Sequence, residues 1–374
     1  MFKQKQWLAV VRGNHWIVAK VARRKLKLDI LRLSEFHAES QLEIEPEFNS
    51  ESADGQKQLG ENVLVQSGGK KVDLLKAWLK KNHVPVEKLR VAVSCPGVIT
   101  RMITLPLMSV QDLDKLLTEH VDQYFTLNIS DYVVDYRVLE RLIEDGEMRQ
   151  RVLLAALPKY QWKTLWSEWE NIGFKPKVVD FSADGLARLY SQLTLKGKNK
   201  KNTTELEAPL DIAIVELSAD RVEFILLEHG VVFLYSDLEV TLDGLEQVAI
   251  SVTTQESGDG PSVGQQDLDL QAAKLYEWAK TEIETTLRNV LQTLAEFFSF
   301  FAARHFGKSI DRIYLTGDFA NLPFLHEIFE KNLEVVTQVG FPNAWRPRYS
   351  RRIRRLQKDG MKYGSLYGLA FREG

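Results

Sequence analysis

Alternation of apolar and polar residues marks two stretches of the chain as sheet. Over residues 7–36, WLAVV, a turn at Arg12, Gly13 and Asn14, HWIVAKV, a basic turn at 23–25 and LKLDILRL predict three antiparallel strands. Over residues 210–236, DIAIVEL, a turn around 218–220, RVEFILLE, a turn at His229 and Gly230, and VVFLYS repeat the same order. One meander written twice reads most simply as an internal duplication.

Between the copies the period changes. RVAVS (90–94) reads as a strand ending at Cys95, Pro96 and Gly97, and VITRMITLP as an extended run closed by Pro106. Ser109 with Asp112 three residues on has the spacing of a capping box, and Leu113, Leu117, Val121 and Tyr124 then share a helical face. Residues 132–139 and 151–158 predict two further strands about a turn at Gly146. A helix over 159–171 follows, with Gly173 just past its end and with Trp162, Trp166 and Trp169 expected to bury against that sheet. Residues 267–306 read as one long helix carrying Ile283, Leu287, Val290, Leu291, Leu294, Phe298 and Phe301 at helical spacing. RIYLTG (312–317) then predicts a strand, and a helix is expected from Leu322.

A length of 374 residues exceeds what one core usually supports, so two domains are expected. Domain one is assigned to 1–195, with its core at 1–90 and 172–195 and an inserted subdomain at 91–171. The polar run KGKNKKNTTELEA (196–208) is the linker, and domain two is 209–374. Residues 50–60 and 253–264 read as loops. A net charge of -2 argues against bulk attraction to nucleic acid. The single cysteine, Cys95, excludes an intrachain disulfide and a cysteine-based zinc cluster, and is expected as a small buried apolar residue. Seven histidines without HExxH-type spacing predict no metal site, and His15 is expected to be structural. No apolar run approaches the ~20 residues of a membrane span, and MFKQKQ lacks the apolar stretch of a signal peptide. The expected location is cytoplasmic. One local exception to the balanced charge is RPRYSRRIRRLQK (346–358), in which Arg346, Arg348, Arg351, Arg352, Arg354 and Arg355 form a basic patch suited to anionic lipid or an acidic partner.

The order of meander, insertion, second meander, long helix and LTGDFA turn resembles the actin-like ATPase superfamily, with an insertion similar to that of the cell-division protein FtsA. More narrowly, VAVSCPGVITRMITLPLMSVQDLDKLLTEHVDQYFTLNISDYVVDYRVL, with its LPLM run and DYVVDYRVL close, resembles the PilM family of type IV pilus assembly. VLLAALPKYQWKTLWSEWENIGFKPKVVDFSADGLARLY, IDRIYLTGDFANLPFLHEIF and the terminal YGLAFRE fit the same family, so the resemblance covers essentially the whole chain. It implies an α/β, duplicated ribonuclease-H-like (actin-like) fold of two domains, with an FtsA-type inserted subdomain in domain one. It also implies a scaffold at the inner face of the cell membrane. Such a scaffold holds the cytoplasmic N-terminal tail of a PilN-like membrane protein in a groove beside the inserted subdomain and links it to pilus motor or platform proteins. Leu105, Tyr124 and Phe125 are the expected groove residues; plain subdomain core is the alternative for all three.

The departures from the family pattern bear on the cleft. The family's first turn has an Asp-Ile-Gly-Ser-like sequence whose backbone N–H groups cradle phosphate while the Asp positions a hydrated metal. Aligned on Gly13 and Asn14, the acidic position is Val11. At the second turn Glu216 takes the acidic place and Ser218 that of the glycine, and Glu216 is expected at a solvent-facing strand end. The adenosine-side turn is Gly317, Asp318 and Phe319, with Phe319 expected to crowd the base. No cofactor is therefore expected, and binding of ATP and Mg²⁺ stays open. The rival readings are an active, polymerising actin-like ATPase and the related cytoplasmic domain of a type II secretion protein. The latter calls for a transmembrane helix that no run in this chain supplies.

Overall fold

The computed structural model describes residues 4–38, 59–95, 97–176, 178–196, 210–218, 221–256 and 265–372. Most of the expected loop at 50–60, the linker beyond residue 196, residues 219–220 of the second turn and 257–264 of the other loop lie outside them.

The first meander forms as β1 (Gln4–Arg12), β2 (His15–Arg24) and β3 (Lys27–His37), all antiparallel. Parity sorts its side chains: Leu8 and Val10 of β1 enter one core, Ala9 and Val11 the other. Helix α1 (Leu59–Lys81) leads to β4 (Leu89–Ser94), parallel to β1. The chain then leaves this sheet to build β5 (Ile99–Pro106), α2 (Val110–His120), β6 (Tyr132–Glu144) and β7 (Glu147–Pro158), in which the three strands pair in the order β5-β7-β6. It returns through α3 (Lys159–Asn171), β8 (Val179–Phe181) and α4 (Ser182–Lys196). The separate sheet thus occupies residues 99–158 within the 91–171 assigned to the insertion, because β4 stays in the large sheet.

The second half repeats the plan with β9 (Ile212–Leu217), β10 (Arg221–Glu228) and β11 (Val231–Glu239). Helices α5 (Asp243–Glu256), α6 (Gln265–Thr286) and α7 (Arg288–Arg304) follow, then β12 (Arg312–Gly317), α8 (Leu325–Leu333) and β13 (Thr337–Val339). The orders β3-β2-β1-β4-β8 and β11-β10-β9-β12-β13 are the same sheet twice, the actin-like duplication. The C-terminal segment then recrosses to the first half, where β14 (Arg348–Tyr349) pairs with β3 and α9 (Gly364–Leu369) lies on α4. That crossing needs glycines, since a Cβ on Gly368 would sit 1.6 Å from the Gly185 carbonyl oxygen. The resulting central core draws Leu8, Val10, Ile212, Ile214, Tyr190 and Tyr367 from both halves.

Several boundaries differ from the sequence reading. The long helix breaks at Leu287, whose ψ of 2° leaves the helical range, beside the point where α5 crosses so closely that a Cβ on Gly244 would lie 2.1 Å from Thr286 Oγ1. Residues 253–256 continue α5 instead of starting a loop. Helix α8 begins three residues late because Phe324 takes a left-handed conformation at its start. The tryptophans of α3 turn away from the three-stranded sheet: Trp169 is fully buried with Val11, Trp16 and Phe174 in the main body of the first half, and Trp162 and Trp166 pack on the same core. The cap at Ser109 forms as read, its Oγ accepting from the Asp112 N–H at 3.1 Å.

Candidate functional site

The two meander turns face each other across an open cleft of about 850 Å³, lined among others by Arg12, Gly13, Asn14, Ser218, Arg221 and Asp318. Strand parity decides what each turn presents. Val11 points away from the cleft into the first-half core and is 1% exposed. Arg12, of opposite parity, reaches across: its Nη2 donates to Glu216 Oε1 at 2.6 Å and its Nη1 to Ser218 Oγ at 3.1 Å. Burial opposes the guanidinium charge, but Glu216, Glu223 and Asp318 outweigh it and raise the Arg12 pKa above that of an ordinary arginine.

Glu216 is not the solvent-facing carboxylate expected, for it is 1% exposed. Antiparallel pairing of β9 with β10 sets Glu223 directly opposite it. Ser94 Oγ from the first half donates to Glu223 Oε1 at 2.9 Å, and Ser365 Oγ from the C-terminal segment donates to Glu216 Oε2 at 3.4 Å. Burial, reinforced by the charge of Glu216, pushes the Glu223 carboxyl up to about 7. Burial likewise raises Asp318. An acidic second turn is therefore closed by a basic first turn, with serines from both halves bridging them.

Gly317 has φ of +97°, and a Cβ there would lie 2.4 Å from the Leu217 carbonyl oxygen, so only glycine lets β12 approach β9 at this point. Phe319 departs from the expectation. It is 9% exposed and packs in the second-half core, where its N–H turns back toward Leu217, and Asp318 is the residue of this turn that meets the cleft.

The expected groove residues Leu105 and Phe125 are buried in the core of the three-stranded sheet, with Tyr124 half-buried against it. They shape any surface there from beneath. What is presented to solvent nearby is Leu107 and Val110, 39% and 64% exposed. This sheet is braced on the rest of the molecule by Arg151 Nη1, 3.0 Å from Glu228, and by Arg137 Nη2, 2.5 Å from Asp184. In the basic segment a 3-10 helix, Arg351–Gln357, anchors Ile353 and Leu356 on the central core and turns Arg351, Arg352, Arg354 and Arg355 to solvent; Arg346 is also exposed, and Arg348 Nη2 pairs with Asp29 at 2.6 Å. Cys95 is buried, and burial pushes its thiol up to about 11, which keeps it protonated and unreactive.

At the rim of the cleft His15 and His37 stack, with ring centroids 3.6 Å apart, and both face Glu35. Burial opposes the Glu35 charge, but hydrogen bonds from His15 and Tyr363 and the Lys362 ammonium hold its pKa down to about 2. Burial and the neighbouring His15 lower that of His37. Motif spacing along the chain gives no sign of this cluster, which forms across two strands.

A family model described as type IV pilus assembly protein PilM matches residues 56–374. Among solved structures, a PilM-PilN type IV pilus biogenesis complex is similar at 16% identity, with 98% of each chain covered and a TM-score of 0.64. The ethanolamine utilization protein EutJ from Carboxydothermus hydrogenoformans aligns at 9% identity over 98% of this chain and 89% of its own, with a TM-score of 0.42. No curated protein sequence matches the chain. Among the described residues no helix is long and apolar enough to cross a membrane.

Proposed function

The chain belongs to the type IV pilus assembly protein PilM family, and from that premise we propose that it is a non-catalytic scaffold of a pilus assembly machine. It binds the cytoplasmic tail of a PilN-like inner-membrane protein and passes that attachment to motor or platform proteins from the cytoplasmic face of the membrane. The family match carries this reading, because it runs through the three-stranded sheet and the whole second half. An extended tail gains affinity by burying apolar anchors and pairing its backbone with a strand edge. The segment leaving edge strand β5 offers Leu107 and Val110 for the first, over a floor of Leu105, Tyr124 and Phe125.

Absence of turnover is supported by chemistry at the turns. A hydrated Mg²⁺ needs carboxylate oxygens free to face it. Here Val11 supplies none, Glu216 Oε1 is engaged by Arg12 at 2.6 Å, and burial disfavours the charged forms of Glu223 and of Asp318, the carboxyl that meets the cleft. The residues present do not fit that ion. The second reading, an active actin-like ATPase, is favoured by one observation: the cleft of about 850 Å³ is lined by Arg12, His15, Lys71 and Arg221 and has room for an anionic ligand. The exposed arginines of 346–355 supply a secondary contact to anionic lipid or an acidic partner, weakened by salt.

Calorimetric titration of a PilN-like N-terminal peptide into the full chain tests the scaffold. Micromolar binding that weakens about tenfold or more in Val110→Asp, with Phe125→Ala acting through the floor, is the expected result. A folded chain that takes up no such peptide overturns it.

A further inference from the structure

We infer that His15, Glu35 and His37 form a binding site for a divalent transition-metal ion of the zinc class, at the rim of the cleft. The site is a product of register. In the β2–β3 pairing Arg24 faces Lys27, and an unbroken ladder would set Phe36 opposite His15. A bulge between Lys20 and Val21 shifts the register by one residue, so that His37 faces His15 and Phe36 faces Trp16. Glu35, two residues before His37, then lies on the same face of β3. Three ligating side chains converge from two adjacent strands, and their ligand atoms all fall within 4.8 Å of one another.

The spacing suits the ion. Ligands at about 2.0–2.1 Å around a tetrahedral zinc stand about 3.4 Å from one another. Glu35 Oε2 is 3.2 Å from His15 Nε2 and 3.8 Å from His37 Nε2. The stacked rings, tilted by only 21°, carry their nitrogens toward the same carboxylate oxygen. Tyr363 donates to the other oxygen, Oε1, at 2.5 Å and so orients the carboxylate with Oε2 toward the imidazoles. Two imidazoles and one carboxylate leave a fourth position on the ion, and since both histidines line the cleft, that position opens toward it. Lys362 is the competitor: its ammonium lies 3.1 Å from Oε1, also donates to Oε2 at 3.3 Å, and supplies the positive charge that the ion would bring.

Titration of zinc chloride into the full chain, in buffer free of chelator, tests this. One ion per chain is expected, with affinity falling roughly tenfold or more in His15→Ala and in His37→Ala and unchanged in His326→Ala. Lys362→Ala should bind zinc more tightly than wild type, a gain that misfolding could not produce. Cobalt(II) should give the visible spectrum of a four-coordinate site, and excess Mg²⁺ should not displace zinc. Absence of stoichiometric zinc binding overturns the assignment. So does wild-type affinity in folded His15→Ala and His37→Ala chains, or weaker binding in Lys362→Ala. None of these results bears on tail binding, which is read at a different surface.

Discussion

The two meander turns come from one plan and end in opposite charge. The first presents Arg12 and His15 to the cleft; the second presents Ser218 and Arg221, with the carboxylates of Glu216 and Glu223 buried just behind them. One turn is the counter-ion of the other. The difference teaches that the cleft is bridged by the protein's own charges. An ion pair 204 residues apart in sequence ties the first half to the second.

Predictions follow from breaking that complementarity. Val11→Asp, which restores the acidic residue by alignment, places a carboxylate in the apolar core with Trp16 and Trp169 and should cost roughly 4 kcal/mol or more. A stable Val11→Asp chain with new Mg²⁺ affinity in calorimetry would show that the position faces the cleft after all. Arg12→Ala leaves Glu216 buried without its partner and should cost about 3–5 kcal/mol in denaturant unfolding. Adding Glu216→Gln to that variant should recover most of the loss, and strict additivity of the two changes would deny that they form one unit.

Glu223 makes the second turn pH-sensitive. Its folded pKa, about 7, lies above the carboxylate reference of 4.5, so between these values the folded state holds a proton that the unfolded chain has released. Its contribution is favourable at low pH and fades as pH rises toward 7. Glu223→Gln should therefore flatten the pH profile of the melting temperature over that window and gain up to about 3 kcal/mol relative to wild type at pH 8. Parallel profiles would exclude Glu223 as the source. The smallest effect is structural: Gly317→Ala, with a Cβ driven against Leu217, should lose roughly 1–3 kcal/mol in thermal melts, and a neutral outcome would mean that the turn at Gly317 can open.

Much of this architecture was legible because it depends on local period. Both meanders, the Ser109 cap and the 159–171 helix follow from alternation, cap chemistry and 3.6-residue spacing. The inward turn of Val11 was legible too, since Leu8, Val10 and Arg12 share a parity that Val11 lacks, but alignment on Gly13 alone overlooks it. The break at Leu287 was not, because it sits where another helix passes close at Gly244, a tertiary contact. Nor was the burial of Glu216, which depends on Arg12 arriving from the other half. The His15, Glu35 and His37 cluster hid behind a single bulge: without it, Phe36 would oppose His15 and no pattern would join the two histidines. Leu105 and Phe125 read equally well as groove or core, because apolar residues on a small sheet serve either role until burial decides.

The most direct test is phosphate release from Mg-ATP by the purified full chain, with and without a PilN-like tail peptide. The account predicts release at the level of a protein-free blank in both cases. Release that requires Mg²⁺ and disappears in Glu216→Gln would contradict it.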